Sequence, residues 1–138
     1  MQHYIHAVWA VKRRKRVLYE NVRIKLYEHI IENARSKSIF VDRINGSYDH
    51  IHCLFTLAPG LSIAKALMLI KGESAYWANK ERIFPSKLQW AHKYYAVKID
   101  NTSLEAVRRY IDDQKNHHQV ISYHDRINQF LKDVDLQA

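Results

Sequence analysis

From Asp49 to Leu57 the sequence runs DHIHCLFTL, and its period of two constrains the fold more tightly than any other stretch. Successive side chains of a strand point to opposite faces. Ile51, Cys53, Phe55 and Leu57 then share an apolar face that can meet a core. His50 and His52 leave together from the other face, roughly 7 Å apart at about 3.3 Å of rise per residue. Two imidazoles at that spacing can converge on one ion, provided a third ligand comes from elsewhere. The pair alone is weak evidence, because a chain with nine histidines also produces His-x-His by chance.

The flanking sequence supplies the rest of a sheet. His3 to Lys12 alternates with β-branched and aromatic residues and reads as a first strand. From Asn21 to Ser36 the period becomes helical, with Val22, Leu26, Ile30 and Ala34 in one stripe widened by Tyr27 and Ile31, and Asn21 as a candidate N-cap. Ser38 to Ser47 reads as a second strand leading into the histidine strand. Asn45-Gly46 is a hairpin signal, and Ser47-Tyr48-Asp49 is a rival turn. Ala58-Pro59-Gly60 closes the third strand. A second helix starts near Ser62, with Ile63, Leu67, Ile70, Ser74 and Trp77 on one side, and Gly72 inside it costs about 1 kcal/mol relative to Ala.

Gln89 to Asp100 reads as a fourth strand, with Tyr95, Val97 and Ile99 on one face and His92, Tyr94 and Lys98 on the other. Thr102-Ser103-Leu104-Glu105 has the form of a capping box opening a helix that runs to about Gln119. A last helix is expected from Ser122 to Val134. The order β-α-β-β-α-β predicts an α+β fold of the split βαβ type, as in ferredoxin-like and RNA-recognition domains: an antiparallel sheet with two helices on one face, plus C-terminal helices. The other face is expected to stay open and to carry His50 and His52.

With 138 residues, 47% of them hydrophobic, and few Gly or Pro, one globular domain spanning residues 1–138 is expected. No apolar run reaches the roughly 18 residues of a membrane span, and no signal-peptide pattern opens the chain. One cysteine excludes an internal disulfide and fits a reducing cytoplasm. The net charge of +8 points to an acidic polymer as partner, above all nucleic acid. Lys12, Arg13, Arg14, Lys15 and Arg16 form a run of five cations at a strand end, suited to phosphate, and Lys71, His92 and Lys98 are further candidates for DNA contact.

The helix after the fourth strand carries Tyr110 and Gln114, spaced i, i+4 and so neighbours on one surface. Taken with Asp49-His50-Ile51-His52, Leu69-Ile70-Lys71-Gly72-Glu73-Ser74, and Trp90 ahead of Tyr94-Tyr95, the stretch Tyr110-Ile111-Asp112-Asp113-Gln114 resembles the motifs of the single-tyrosine HUH transposases. These are the small transposases of insertion sequences of the 200/605 type. The resemblance runs from about His3 to Gln119.

The resemblance implies that His50, His52 and Gln114 bind a divalent cation and that Tyr110 is the nucleophile. It would attack a phosphate of single-stranded DNA, giving a 5′-phosphotyrosine and a free 3′-hydroxyl. Histidine ligands alone would suggest Zn²⁺ or a later transition metal, while phosphate oxygens and the family suggest Mg²⁺ or Mn²⁺. It also implies DNA hairpins as partners and a homodimer in which the Tyr110 helix of one subunit completes the other's site. The competing functions are a non-catalytic nucleic-acid-binding module and a related nickase or domesticated, palindrome-processing relative.

Overall fold

The computed structural model describes residues 3–113 and 121–135. Its elements are β1 (Tyr4–Val11), α1 (Glu20–Ser36), β2 (Ile39–Gly46), β3 (His50–Leu57), α2 (Ile63–Glu81), β4 (Trp90–Ile99), α3 (Leu104–Asp112) and α4 (Ile121–Asp135), with a 3-10 turn at Lys12–Arg14. The four strands form one sheet in the order β2-β3-β1-β4, and every adjacent pair is antiparallel. This is the α+β, split βαβ arrangement expected from the order of elements.

Local chemistry moves several boundaries. Helix α1 starts one residue before the proposed Asn21 cap: Val22 and Arg23 N–H both donate to the Tyr19 carbonyl, and no side chain caps the end. At α2 the hydroxyl of Ser62 does accept from the Lys65 N–H. The β2–β3 turn falls at Ser47–Asp49, closed by Ser47 N–H on the His50 carbonyl. Gly46 is needed there for space, since a Cβ on it would lie 2.3 Å from that same carbonyl oxygen. The capping box before α3 does not form. Ser103 gives no side-chain cap, and Asp100 instead accepts from the Thr102 hydroxyl and the Ser103 N–H. Glu105 pairs with Arg108.

Helices α1 and α2 cover one face of the sheet around Trp9, Phe55, Ile51, Leu26 and Leu67. His29 joins the two helices, stacking flat on Trp77 and pairing with Glu73. The other face is not open, contrary to the expectation from the sequence. Helices α3 and α4 lie over it, and Val8, Ala10 and Leu54 pack there against Val107, Ile111, Ile127 and Leu131. With both faces covered, β1 is buried at every position from Ile5 to Val11, so its alternation carries two cores rather than a core and a solvent face.

Candidate active site

The histidine strand and its neighbour fix the site. His50 and His52 pair across the ladder with Ala10 and Val8, and Leu54 pairs with His6. Directly opposed residues share a face, so His6, His50 and His52 all point toward α3 and α4. The rings of His50 and His52 have centroids 5.0 Å apart at 70°. His6 stacks on His52 at 5.3 Å, and its Nε2 lies 3.1 Å from Nδ1 of His52. The other nitrogen of His6 meets the hydroxyl of Tyr123 on α4. Burial pulls the His6 pKa down to about 3, so this ring is neutral.

His50 is tied differently. Its Nδ1 lies 2.7 Å from a carboxylate oxygen of Asp49 and 3.0 Å from the Ser47 hydroxyl. Burial alone would raise the Asp49 pKa, but the hydrogen bond and charge of His50, with Arg14 3.1 Å away, hold it below its ordinary value. Each histidine of the pair therefore engages Nδ1, so Nε2 is the nitrogen each could offer to an ion. Among the described residues, no third His, Cys, Asp or Glu joins them in a cluster able to hold an ion. Gln114, the third candidate ligand, lies outside the described residues.

Tyr110 comes to this pair from α3. Its ring centroid is 5.7 Å from that of His52 and 6.2 Å from that of His6, in the same chain. Burial, and next the charge of Tyr95, push the phenol pKa up. Its hydroxyl oxygen lies 3.0 Å from Nδ1 of His124 on α4. Polar ties hold α3 in place. A bulge in β2 between Val41 and Arg43 leaves Asp42 facing Arg108, which makes two hydrogen bonds to its carboxylate at 2.8 and 2.9 Å. The Asn45 amide donates to the carbonyls of Ile111 and Asp112 at the end of the helix.

The basic run divides. Arg14 bonds Asp49 and reaches the Leu131 carbonyl, joining the β3 entry to α4. Arg16 lies over the Tyr48 ring at 4.6 Å. Lys12, Arg13 and Lys15 line a cleft of about 140 Å³ together with Lys87 and Gln89. Arg13 and Arg14 both adopt positive φ, at 58° and 50°; this uncommon backbone separates their side chains between the two roles. Lys71 is on the opposite side of the sheet, where its ammonium donates to the carbonyls of Ala91 and His92, and burial lowers its pKa. His92 lies exposed in the irregular stretch of β4 between Trp90 and Tyr94, on the edge strand, and does not join the site-facing histidines. Lys98 is exposed, paired with Ile5 on the α1–α2 side, and borders a cavity reaching Tyr110.

A family model described as "Transposase IS200 like" matches residues 1–114. The chain belongs to the IS200-like transposases. The ISDra2 transposase TnpA of Deinococcus radiodurans is 26% identical over 115 residues, covering 79% of this chain and 81% of that protein. Two solved structures share the fold of this IS200-like chain. One is a transposase from Deinococcus radiodurans, with a TM-score of 0.64 at 22% identity over 83% of this chain and 92% of that one. The other, a REP-associated tyrosine transposase bound to a REP hairpin, gives 0.61 at 15% identity over 79% of this chain and 64% of that longer one.

His6, Asn45, Tyr123 and His124 are site neighbours that the sequence did not single out. For His6 a signal existed, since its parity along β1 matches that of Val8 and Ala10. Reading it required the β1–β3 register, which no local pattern supplies. Trp9, Trp77 and Trp90 are all packed. Trp9 is fully buried, Trp77 meets His29, and Trp90 donates to the Ser74 hydroxyl.

Proposed function

We propose that this chain, acting as one domain over residues 1–138, cleaves and rejoins single-stranded DNA at insertion-sequence ends through a 5′-phosphotyrosine intermediate. The observation that carries the reading is the approach of Tyr110 to the His50–His52 pair. His50 and His52, with Gln114, are the residues that would hold Mg²⁺ or Mn²⁺; the ion, when bound, supplies Lewis-acid polarisation of the scissile phosphate. Tyr110 Oη attacks phosphorus, the bond to O3′ breaks, and the DNA 5′ phosphate stays on the tyrosine while a 3′-hydroxyl leaves. Reversal by a new 3′-hydroxyl rejoins the strand without ATP. A buried phenol with a raised pKa is a poor nucleophile, and His124 Nδ1, when bare, is within reach to take its proton.

The partner is single-stranded DNA carrying hairpins, a reading supported by the hairpin bound to the structural relative and by the +8 charge. Such a partner belongs to the cytoplasm; among the described residues no helix is long and apolar enough to cross a membrane. We also propose a homodimer in which α3 acts in trans. Only residues 100–103 join β4 to α3, and exchange of an identical element between protomers would recreate the same contacts on a partner's sheet. The likeness to a REP-associated transposase favours one second reading, a domesticated relative that processes palindromes by the same chemistry.

The test is incubation with end-labelled single-stranded DNA from the element's flanks, with and without Mg²⁺. A covalent protein–DNA adduct that requires the ion is expected. DNA binding with no adduct under either condition would return the chain to a non-catalytic binding module.

A further inference from the structure

The hydrogen-bonded row His52–His6–Tyr123 runs from the candidate ligand strand through β1 into α4. Its middle member is fully buried, and neither the resemblance nor the motif spacing gives it a role. The row has two polarities. In one, Tyr123 donates to His6 Nδ1, His6 Nε2–H donates to His52 Nδ1, and His52 carries its proton on Nε2, where it cannot ligate. In the other, His52 Nδ1–H donates to His6 Nε2, His6 Nδ1–H donates to the Tyr123 oxygen, and His52 offers Nε2 as a ligand. A neutral imidazole has one donor and one acceptor nitrogen, so the direction at His6 fixes the tautomer of His52.

We infer that His6 is a positioning residue for the metal site, accepting the Nδ1–H of His52 and so holding that ring in its ligating tautomer and orientation. Asp49 does the same for His50, but as a carboxylate it can only accept. The two ligands are thus supported unequally: His50 by a charged acceptor whose polarity cannot reverse, His52 by a neutral acceptor whose polarity depends on Tyr123. This makes α4 part of the metal site's support. The inference rests on the reading of His50 and His52 as metal ligands.

The experiment is calorimetric titration of the DNA-free protein with Mn²⁺, for wild type, His6→Leu, His6→Gln, Tyr123→Phe and His52→Ala. Leucine fills the buried volume without an acceptor, and Mn²⁺ affinity should fall about 10- to 100-fold, as for other lost partners of metal-bound histidines. Glutamine can present its amide oxygen near the place of Nε2 and should restore affinity to within a few-fold of wild type. Wild-type affinity in His6→Leu overturns the inference, and so does equal loss in His6→Leu and His6→Gln, which would make His6 a ligand or mere packing. If far-UV circular dichroism shows that His6→Leu does not fold, Tyr123→Phe decides: a severalfold loss supports the row, and unchanged affinity overturns it. His52→Ala separates the failures. Wild-type Mn²⁺ binding in that variant removes the metal-site reading itself, whereas loss there with full binding in His6→Leu removes only the role of His6.

Discussion

The two faces of the sheet are built from alternate residues of the same strands and are held by different forces. Under α1 and α2 the contacts are almost wholly apolar, with Trp9, Phe55, Leu18 and Leu67 fully buried. Under α3 and α4 the apolar cluster surrounds a polar row of buried His52 and His6 and half-buried Tyr123, with Tyr110 beside it. Short α3 is fastened at its edges by Asn45 and by Asp42 with Arg108. Dry packing is non-directional and is lost only when the domain unfolds. A fastening made of a few directional bonds can open by itself. We propose that one face serves as scaffold, while α3, whose Val107 and Ile111 pack on the other face and whose edges are tied by directional bonds, can be seated or released with its tyrosine.

The largest expected effect is on chemistry. Tyr110→Phe keeps the ring that packs on His52 and removes the oxygen, so hairpin binding should be unchanged and adduct should fall below detection. Tyr95 also faces this side and is the rival; Tyr95→Phe should retain adduct. Adduct from Tyr110→Phe and none from Tyr95→Phe would move the nucleophile to β4 and break the link between α3 and function.

Mixing tests release of the helix directly. Tyr110→Phe and His52→Ala subunits, each inactive alone, are combined and allowed to exchange. If α3 acts in trans, a mixed dimer has one intact site and one doubly defective site. Adduct should return to at most about half of the wild-type yield per mixed dimer. A mixture that exchanges subunits yet stays silent would show that Tyr110 works only on its own sheet, as it is seated here.

The sequence disclosed these faces unequally, for physical reasons. Ile51, Cys53 and Phe55, like the Leu26–Ile30–Ala34 stripe, are local periodic signals, and each found its partners under α1 and α2. The second face depends on contacts between residues far apart in the chain. His6 meets His52 across 46 positions, and Asp42 meets Arg108 across 66. An alternating strand looks the same whether its second face is open or covered, so the polar members of β3 pointed to solvent when they in fact met a second layer. The basic run was visible as charge, but which cations were already committed was not. Arg14 is spent on Asp49, while Lys12, Arg13 and Lys15 turn to the cleft.

That division gives a smaller prediction. DNA affinity should fall with salt by about 0.7 log units per log unit for each phosphate neutralised on a single strand. Arg13→Ala with Lys15→Ala should flatten the slope by about 1 to 1.5. Arg14→Ala should leave the slope alone and lower thermal stability, because its loss uncovers Asp49 and loosens the joint with α4. Equal slopes in all variants would return the run to a solvated loop.

Acid should loosen the fastened face first. Hydrogen bonds from Arg108, opposed by some burial and assisted by its charge, hold the Asp42 carboxyl below 3.8. A carboxylate depressed in the native state contributes its full stability above the unfolded value, and that contribution disappears as pH falls through the lower native one. Amide exchange in α3 should therefore show no Asp42-dependent change from pH 7 to 5. Asp42→Asn should raise α3 exchange a few-fold at neutral pH, and wild type and variant should converge in strong acid. Indifference of α3 to Asp42→Asn would remove this pair from the fastening.

The smallest effect separates the faces most sharply. Gly72 lies exposed on α2, its added Cβ would meet nothing within 4 Å, and its φ is not positive. Alanine there removes backbone freedom from the unfolded chain without strain. Gly72→Ala should stabilise the domain by about 1 kcal/mol, raise Tm by about 3 °C and leave adduct yield unchanged. Its value lies in the exchange pattern. If α3 opens independently, protection should rise for β1, β3 and the α2 core, whose amides exchange through global unfolding, while α3 amides keep their wild-type rates. If α3 protection rises in step with the core, the helix leaves the sheet only when the whole domain unfolds. Release of Tyr110 to a partner would then need the DNA or the second subunit to drive it, rather than an opening already present in the chain.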